Sequence, residues 1–242
     1  MIQKALQYIV SLAENKTYTI NGKTYSDHDL KRIEEPDFRR SGVEFGSLDA
    51  IVKMIRTEID DYPLLIGALP LFIQVESHKR VKVFTRPDNK EKRIIPYEAV
   101  CRDTEFSEGW RDQQAAIIEL RSRFIPTDDT AYLLDLISRI NDEKGIQSND
   151  NGVSQTVTVK QGVSLMATET IRPRISLKPF RTFREIPQPE SEFLLRLDES
   201  GRVGLFEADG GIWKMEAKDN IMEYFKEFLD AEIHAGQVVV MV

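Results

Sequence analysis

The sequence predicts an α+β fold in which antiparallel β-sheets, formed by hairpins and a C-terminal meander, pack with several amphipathic helices. Three observations lead there. Apolar residues recur at helical spacing in some segments and at every second position in others. The strand-like segments come in pairs joined by short polar turns. The order of elements also lacks the regular strand, helix, strand alternation of a doubly wound sheet. With 242 residues, 41% hydrophobic and 30% charged, the chain can bury a core without disulfides or a structural metal.

The first element is an amphipathic helix, with Ile2, Ala5, Leu6, Ile9, Leu12 and Ala13 on one face. TYTINGKTY follows, and Asn21-Gly22 between β-rich tripeptides is a two-residue hairpin signal. Residues 27–38 are polar and read as loop. Ser47 is an N-cap candidate for a helix whose buried stripe is Leu48, Ile51, Val52, Ile55 and Ile59, and Pro63 lies beyond its end. LFIQVES and VKVFT form strands across the turn HKR, and RIIPYEAV follows PDNK, with Pro96 pointing to an edge or bulged strand.

After a loop at SEGW, residues 112–124 are helical, and Thr127 or Asp128 caps a helix with the stripe Leu133, Leu134, Ile137 and Ile140. Gly145 fits the end of that helix. The polar QSNDNG separates a helical pair from a nearly pure β pattern. It therefore marks a boundary between an N-terminal α+β region, 1–146, and a C-terminal β-rich region closed by a helix, 147–242, which can still form one compact unit. In the second region VSQTVTVK alternates, and prolines 173, 179, 187 and 189 divide an extended stretch. EFLLRL, RVGLFE and IWKME then predict a three-stranded meander turning at DESG and ADGG. A helix with Ile221, Met222, Phe225, Phe228 and Leu229 inward covers that sheet, and QVVVMV is a last strand that needs a partner.

Composition excludes several classes of function. The formal net charge of -7 disfavours nonspecific binding to duplex nucleic acid, which needs a positive field. No segment approaches the roughly 20 apolar residues of a membrane span. The single cysteine, Cys101, excludes an internal disulfide framework and fits a reducing, cytoplasmic setting. The N-terminus lacks the continuous apolar core of a signal peptide.

A Walker loop, a dinucleotide glycine fingerprint, a nucleophile elbow and an H-E-x-x-H helix are all missing from the sequence. His28, His78 and His234 have no paired spacing, so no metal site is expected from them. Two constellations carry chemistry. Arg174, Lys178, Arg181 and Arg184, interleaved with Phe180 and Phe183, are candidates for a site that holds phosphates and stacks bases. In an extended chain Arg172, Arg174, Lys178 and Arg184 share one parity and Arg181 and Phe183 the other, so the competing reading is a solvated cationic face paired with acids. The second constellation is Glu207, Asp209, Glu216 and Lys218. With Glu216-Ala217-Lys218 at the end of a strand it is similar to the PD-(D/E)xK nucleases, whose carboxylates hold Mg²⁺.

Several blocks resemble an uncharacterised family of proteins encoded by tailed bacteriophages and prophages. They are Thr24-Tyr25 with Pro36, residues 47–52 (SLDAIV), 150–155 (DNGVSQ), 179–185 (PFRTFRE), 188–191 (QPES), and 206–211 (FEADGG) with Trp213. The resemblance implies phage origin and expression inside a bacterial host cell, and it carries over no catalytic residue. The leading expectation is thus a non-enzymatic binding protein without cofactor. It would act as a homo-oligomer on a host factor, including a defence factor, or on an anionic, nucleotide-like small ligand. A Mg²⁺-dependent nuclease of phage DNA metabolism and a phage structural or assembly protein are the alternatives.

Overall fold

The computed structural model describes residues 3–6, 8, 17–26, 42–61, 70–87, 95–102, 106–140, 149–150, 155–160 and 166–242. The α+β class expected from the sequence is what forms. The chain divides into two units, 1–39 and 40–242.

In the first unit residues 3–6 and 8 are helical, and β1 (Thr17–Ile20) pairs antiparallel with β2 (Lys23–Ser26). Asn21 and Gly22 turn the hairpin with φ of 52° and 74°, the left-handed pair that a two-residue type I′ turn requires and that Asn-Gly supplies. The rest of the expected first helix, the loop at 27–38, Pro63, residues 88–90 of the PDNK turn and Gly145 lie outside the described residues.

The second unit contains two five-stranded sheets, a three-stranded one and five helices among its described residues. The first sheet has the order β15-β4-β5-β6-β3, from β3 (Val43–Phe45), β4 (Leu71–Ser77), β5 (Arg80–Phe84), β6 (Tyr97–Val100) and β15 (Val238–Met241). Its central pairs are antiparallel, whereas β15 joins β4 and β3 joins β6 in parallel. Leu71, Ile73, Val75, Val81, Val83, Tyr97 and Ala99 alternate onto one buried face. Helices α1 (Leu48–Asp61) and α4 (Trp213–Phe228) supply Leu48, Ile51, Ile55, Ile221 and Phe225 to the same core. Ser47 caps α1, its Oγ accepting from Ala50 N at 3.3 Å. Pro96 does not mark an edge: β6 begins just after it, inside the sheet, and the Pro96 carbonyl accepts from Val43 N at 2.9 Å. A proline before the first strand residue removes no ladder hydrogen bond.

The second sheet has the order β7-β14-β13-β12-β8, from β7 (Gly109–Arg111), β8 (Phe124–Ile125), β12 (Arg174–Pro179), β13 (Ser191–Leu197) and β14 (Val203–Glu207). Helices α2 (Gln113–Arg123) and α3 (Asp128–Arg139) cover one of its faces, placing Leu120, Leu133, Leu136 and Ile137 against Ile175, Leu177, Phe193, Leu195 and Leu205. Asp112 caps α2 by accepting from Ala115 N at 2.7 Å, and Thr127 caps α3 by accepting from Thr130 N at 3.1 Å.

Four expectations change here, the first being that the helix expected over the meander, α4, packs on the first sheet instead. SEGW is not all loop, because Gly109 and Trp110 belong to β7. The meander has no third strand at IWKME, since those residues open α4. Phe228 is 42% exposed and does not face the core. As for the boundary expected at 146/147, both cores draw residues from either side of it.

The third sheet, β11-β10-β9, is formed by β9 (Asn149–Asp150), β10 (Gln155–Lys160) and β11 (Met166–Ile171). Gln155 clips it to the second sheet: its Oε1 accepts from Leu197 N at 2.9 Å and its Nε2 donates to Leu197 O at 2.5 Å. The short α5 (Asp230–His234) leads into β15.

Replacing Gln155 by leucine keeps its volume but leaves a buried peptide group without these bonds, so the variant should lose about 1 to 3 kcal/mol of stability. Urea unfolding followed by circular dichroism measures this, and a loss below about 0.5 kcal/mol would show that the clip contributes nothing.

Candidate functional site

The dense cationic segment separates into two populations. Along β12 the alternation is the one expected, with Arg174 exposed and Ile175, Leu177 and Pro179 buried. The chain then bends, and Arg181 turns inward to become the bulkiest fully buried side chain among the described residues. Its Nη1 donates to Glu207 Oε1 at 2.5 Å, its Nη2 donates to Ser191 Oγ, and its guanidinium carbon lies 3.7 Å from the centre of the Trp213 ring. Ser191 Oγ in turn donates to Asp209 Oδ2 at 2.7 Å, and Asp209 Oδ1 accepts from Gly211 N at 2.9 Å. Trp213 Nε1 donates to the second oxygen of Glu207 at 3.3 Å. Gly210 and Gly211, with φ of 65° and 81°, make the reversal that carries Asp209 back toward Ser191.

The loop that places Arg181 is closed by Gln188. Its Oε1 accepts from Arg181 N and Thr182 N at 3.1 and 3.3 Å, and its Nε2 donates to Phe183 O at 2.9 Å. Phe183 and Ile186 enter the first core. Of the sequence-predicted ligand residues, then, Arg181 and Phe183 are structural interior. Arg174, Lys178 and Arg172 stay at the surface, each against an acid: Glu192 at 2.8 Å, Glu190 at 3.3 Å and Asp129 at 3.0 Å. Arg184 lies over the Phe180 ring at 5.3 Å. With Arg181 and Phe183 buried, the six candidate ligand residues, Arg174, Lys178, Phe180, Arg181, Phe183 and Arg184, do not share one open surface.

The nuclease constellation is not assembled either. Glu207 and Asp209 both face Arg181 and its hydrogen-bonded neighbours, but Glu216 and Lys218 lie on helix α4, with Glu216 exposed. The adjacent-strand placement which that chemistry needs is missing. Among the described residues no group of three or more His, Cys, Asp or Glu side chains is arranged to hold a metal ion.

A surface that the sequence reading missed lies on the second sheet. Its face opposite α2 and α3 carries Arg174 from β12, Glu192, Leu194 and Arg196 from β13, and Gly204 and Phe206 from β14, with Trp110 of β7 opposite Gly204 in register. The Trp110 and Phe206 rings meet edge to face, 5.8 Å apart at 76°, and Trp110 is 43% exposed. Gly204 makes room for them: a Cβ there would stand 2.8 Å from Phe206 Cε2 and 3.0 Å from two Trp110 ring carbons. Arg202 reaches over Trp110 at 5.9 Å and pairs with Asp198 at 2.6 Å. Beside it lies an open cleft of about 540 Å³, flanked by Asp112, Gln113, Ile118 (60% exposed), Gly201 and Arg202. The lone glycine inside the alternating strand VGLFE was the available signal, since such a glycine marks close approach of another group.

No helix among the described residues is long and apolar enough to cross a membrane. Comparison with known families, curated proteins and solved structures finds no match to the chain.

Removing Arg181 leaves Glu207 facing a buried gap, so Arg181→Ala should cost about 3 kcal/mol. Arg184→Ala, at an exposed position, should stay within about 0.5 kcal/mol. Urea denaturation of the two single variants tests the contrast, and equal effects would contradict it.

Burial by itself would raise the pKa of Asp209. The hydrogen bonds from Ser191 and Gly211, the charge of Arg181 and the Trp213 amide outweigh that, holding the carboxyl below the usual aspartate range. A depressed folded-state pKa contributes stability above the unfolded value of about 3.9 and loses it as pH falls through the folded value. The stability gap between the wild type and Asp209→Asn should therefore be widest near neutral pH and close below about pH 4. Thermal unfolding across that range measures it, and a gap that widens in acid would refute the assignment.

Proposed function

We propose that this protein works by binding another protein, without catalysis, through the open face of its second sheet. The observation that carries this reading is the Trp110–Phe206 pair, held over Gly204 on a solvent-facing surface and bordered by arginines. A large aromatic left 43% exposed beside Arg202 has the composition of a contact hot spot, where tryptophan and arginine are enriched.

A protein suits this face better than a nucleic acid or a nucleotide-like anion. Arg174 and Arg202 are each neutralised by a carboxylate of the same neighbourhood, and the chain as a whole is acidic. Such a face offers an apolar centre with a mixed-charge rim, in which two of the three arginines are already paired with acids. If the chain is encoded by a phage, as its resemblance implies, the partner is a host factor met in the bacterial cytoplasm, and sequestration of that factor is the activity. The resemblance and the reducing setting inferred from Cys101 support that placement.

A photo-crosslinking amino acid at position 110, with a control at Lys53 on α1, whose side chain is 73% exposed, tests the reading in the source bacterium. One discrete adduct with a host protein from position 110 and none from position 53 is the expected result. No adduct at 110, the same adducts from both positions, or an adduct only with another copy of this chain would overturn it.

A further inference from the structure

The two outer strands of the first sheet are protected very differently. On one side β3 is three residues long, with Glu44 pointing outward into an ion pair with Arg102. Short length and charge are the usual means of keeping a sheet edge from pairing with another chain. On the other side β15 reads Val-Val-Val-Met, and residues 235–242 carry no charged side chain, in a chain that is 30% charged. It contains no proline and its register with β4 is unbroken. Val239 is 38% and Val242 54% exposed. Among the described residues no strand pairs with its outer side. The edges of the second sheet are β7, three residues with Arg111, and β8, two residues.

The hydrogen-bonding groups on that outer side follow from the parallel ladder. Val238 lies opposite Leu71, and Leu71 N donates to Gln237 O at 2.9 Å. Alternate residues of a parallel strand bond the same neighbour, so Val239 and Met241 are turned to β4. The N–H and C=O of Val238 and Val240 point the other way.

We infer that β15 is a homodimer edge: two copies of this chain pair their β15 strands antiparallel about a twofold axis at Val239. Val238 of each copy then lies opposite Val240 of the other, an arrangement in which each such pair exchanges both of its backbone hydrogen bonds. Charge favours a second copy as the occupant. Each chain carries a net charge of -7, and residues 235–242 bring no charged side chain to the contact, so two copies can pair here without setting like side-chain charges against each other. The contact would join two five-stranded sheets into one. It lies on a different sheet from the Trp110 face, and neither assignment depends on the other.

Sedimentation velocity and native mass spectrometry on the full chain, the wild type beside Val240→Pro and Val239→Lys, test this. Proline at Val240 removes an outward N–H without touching the β4 ladder, and lysine at Val239 places a charge beside the edge. The wild type should show a species of twice the 27.8 kDa chain mass that grows with concentration. Both variants should remain at the single mass with the wild-type circular dichroism spectrum. Should the proline variant unfold, the lysine variant decides alone. A wild type that stays at the single mass at every concentration, a dimer that survives the decisive substitutions, or a foreign protein on this edge in place of the second copy would overturn the proposal.

Discussion

One buried guanidinium links the parts of the second unit. Arg181 leaves β12 of the second sheet, pairs with Glu207 at the end of β14, and stacks on Trp213 at the start of the helix that covers the first sheet. Around it, Trp213 meets the ring of His78 from the β4–β5 turn at 4.7 Å, and Thr182 Oγ1 donates to the His78 carbonyl at 2.5 Å. Desolvating an arginine costs several kcal/mol before its partners offset the loss. The neighbours offset it by supplying a carboxylate, a hydroxyl and an aromatic face together. None of these can shift without leaving a buried charge exposed to apolar surroundings, so the two cores are held in one arrangement. The following residues extend the link, because Glu185 Oε1 accepts from Leu48 N at 2.8 Å at the start of α1.

Much of this was legible in the sequence wherever a periodic signal was long. The Asn-Gly hairpin, the Ser47 and Thr127 caps, the stripes of α1 and α3 and the alternation of β12 and β13 all follow from local chemistry. The error at residues 212–216 shows where local reading fails. Over five residues IWKME alternates like a strand, but Trp213, Ala217, Ile221 and Phe225, at 3%, 0%, 0% and 0% exposure, form one helical stripe. The longer period wins, since burying Trp213, Ala217, Ile221 and Phe225 on one helix face outweighs a short strand-like alternation. At β7 the strand is only three residues long, too short for any period to show, and its pairing comes from β14, nearly a hundred positions later in the chain.

The cationic segment was legible as a cluster and misleading as a site, for an electrostatic reason. Density along the chain says nothing about which acids return to meet it. The chain has 40 acidic against 33 basic residues, so carboxylates are abundant. The ones that meet Arg172 and Arg181 come from Asp129 and Glu207, 43 and 26 positions away. Once folded, four of its five cations sit against carboxylates, and one of its arginines has become the most buried charge among the described residues. Parity separated Arg181 from Arg174, but only the bend after Pro179 decides that one is interior and the other solvated.

What the fold leaves exposed is therefore more informative than what the sequence concentrates. Glycine within a strand is less stable than alanine by roughly 0.5 to 1 kcal/mol, and Gly204 accepts that cost where its missing Cβ admits two aromatic rings on a face turned away from both helices. Of those rings Phe206 is half-buried, whereas Trp110 remains 43% exposed. The β15 edge shows an imbalance of its own, apolar and uncharged where the opposite edge of its sheet is short and charged. The two contacts proposed for these surfaces would cover both features.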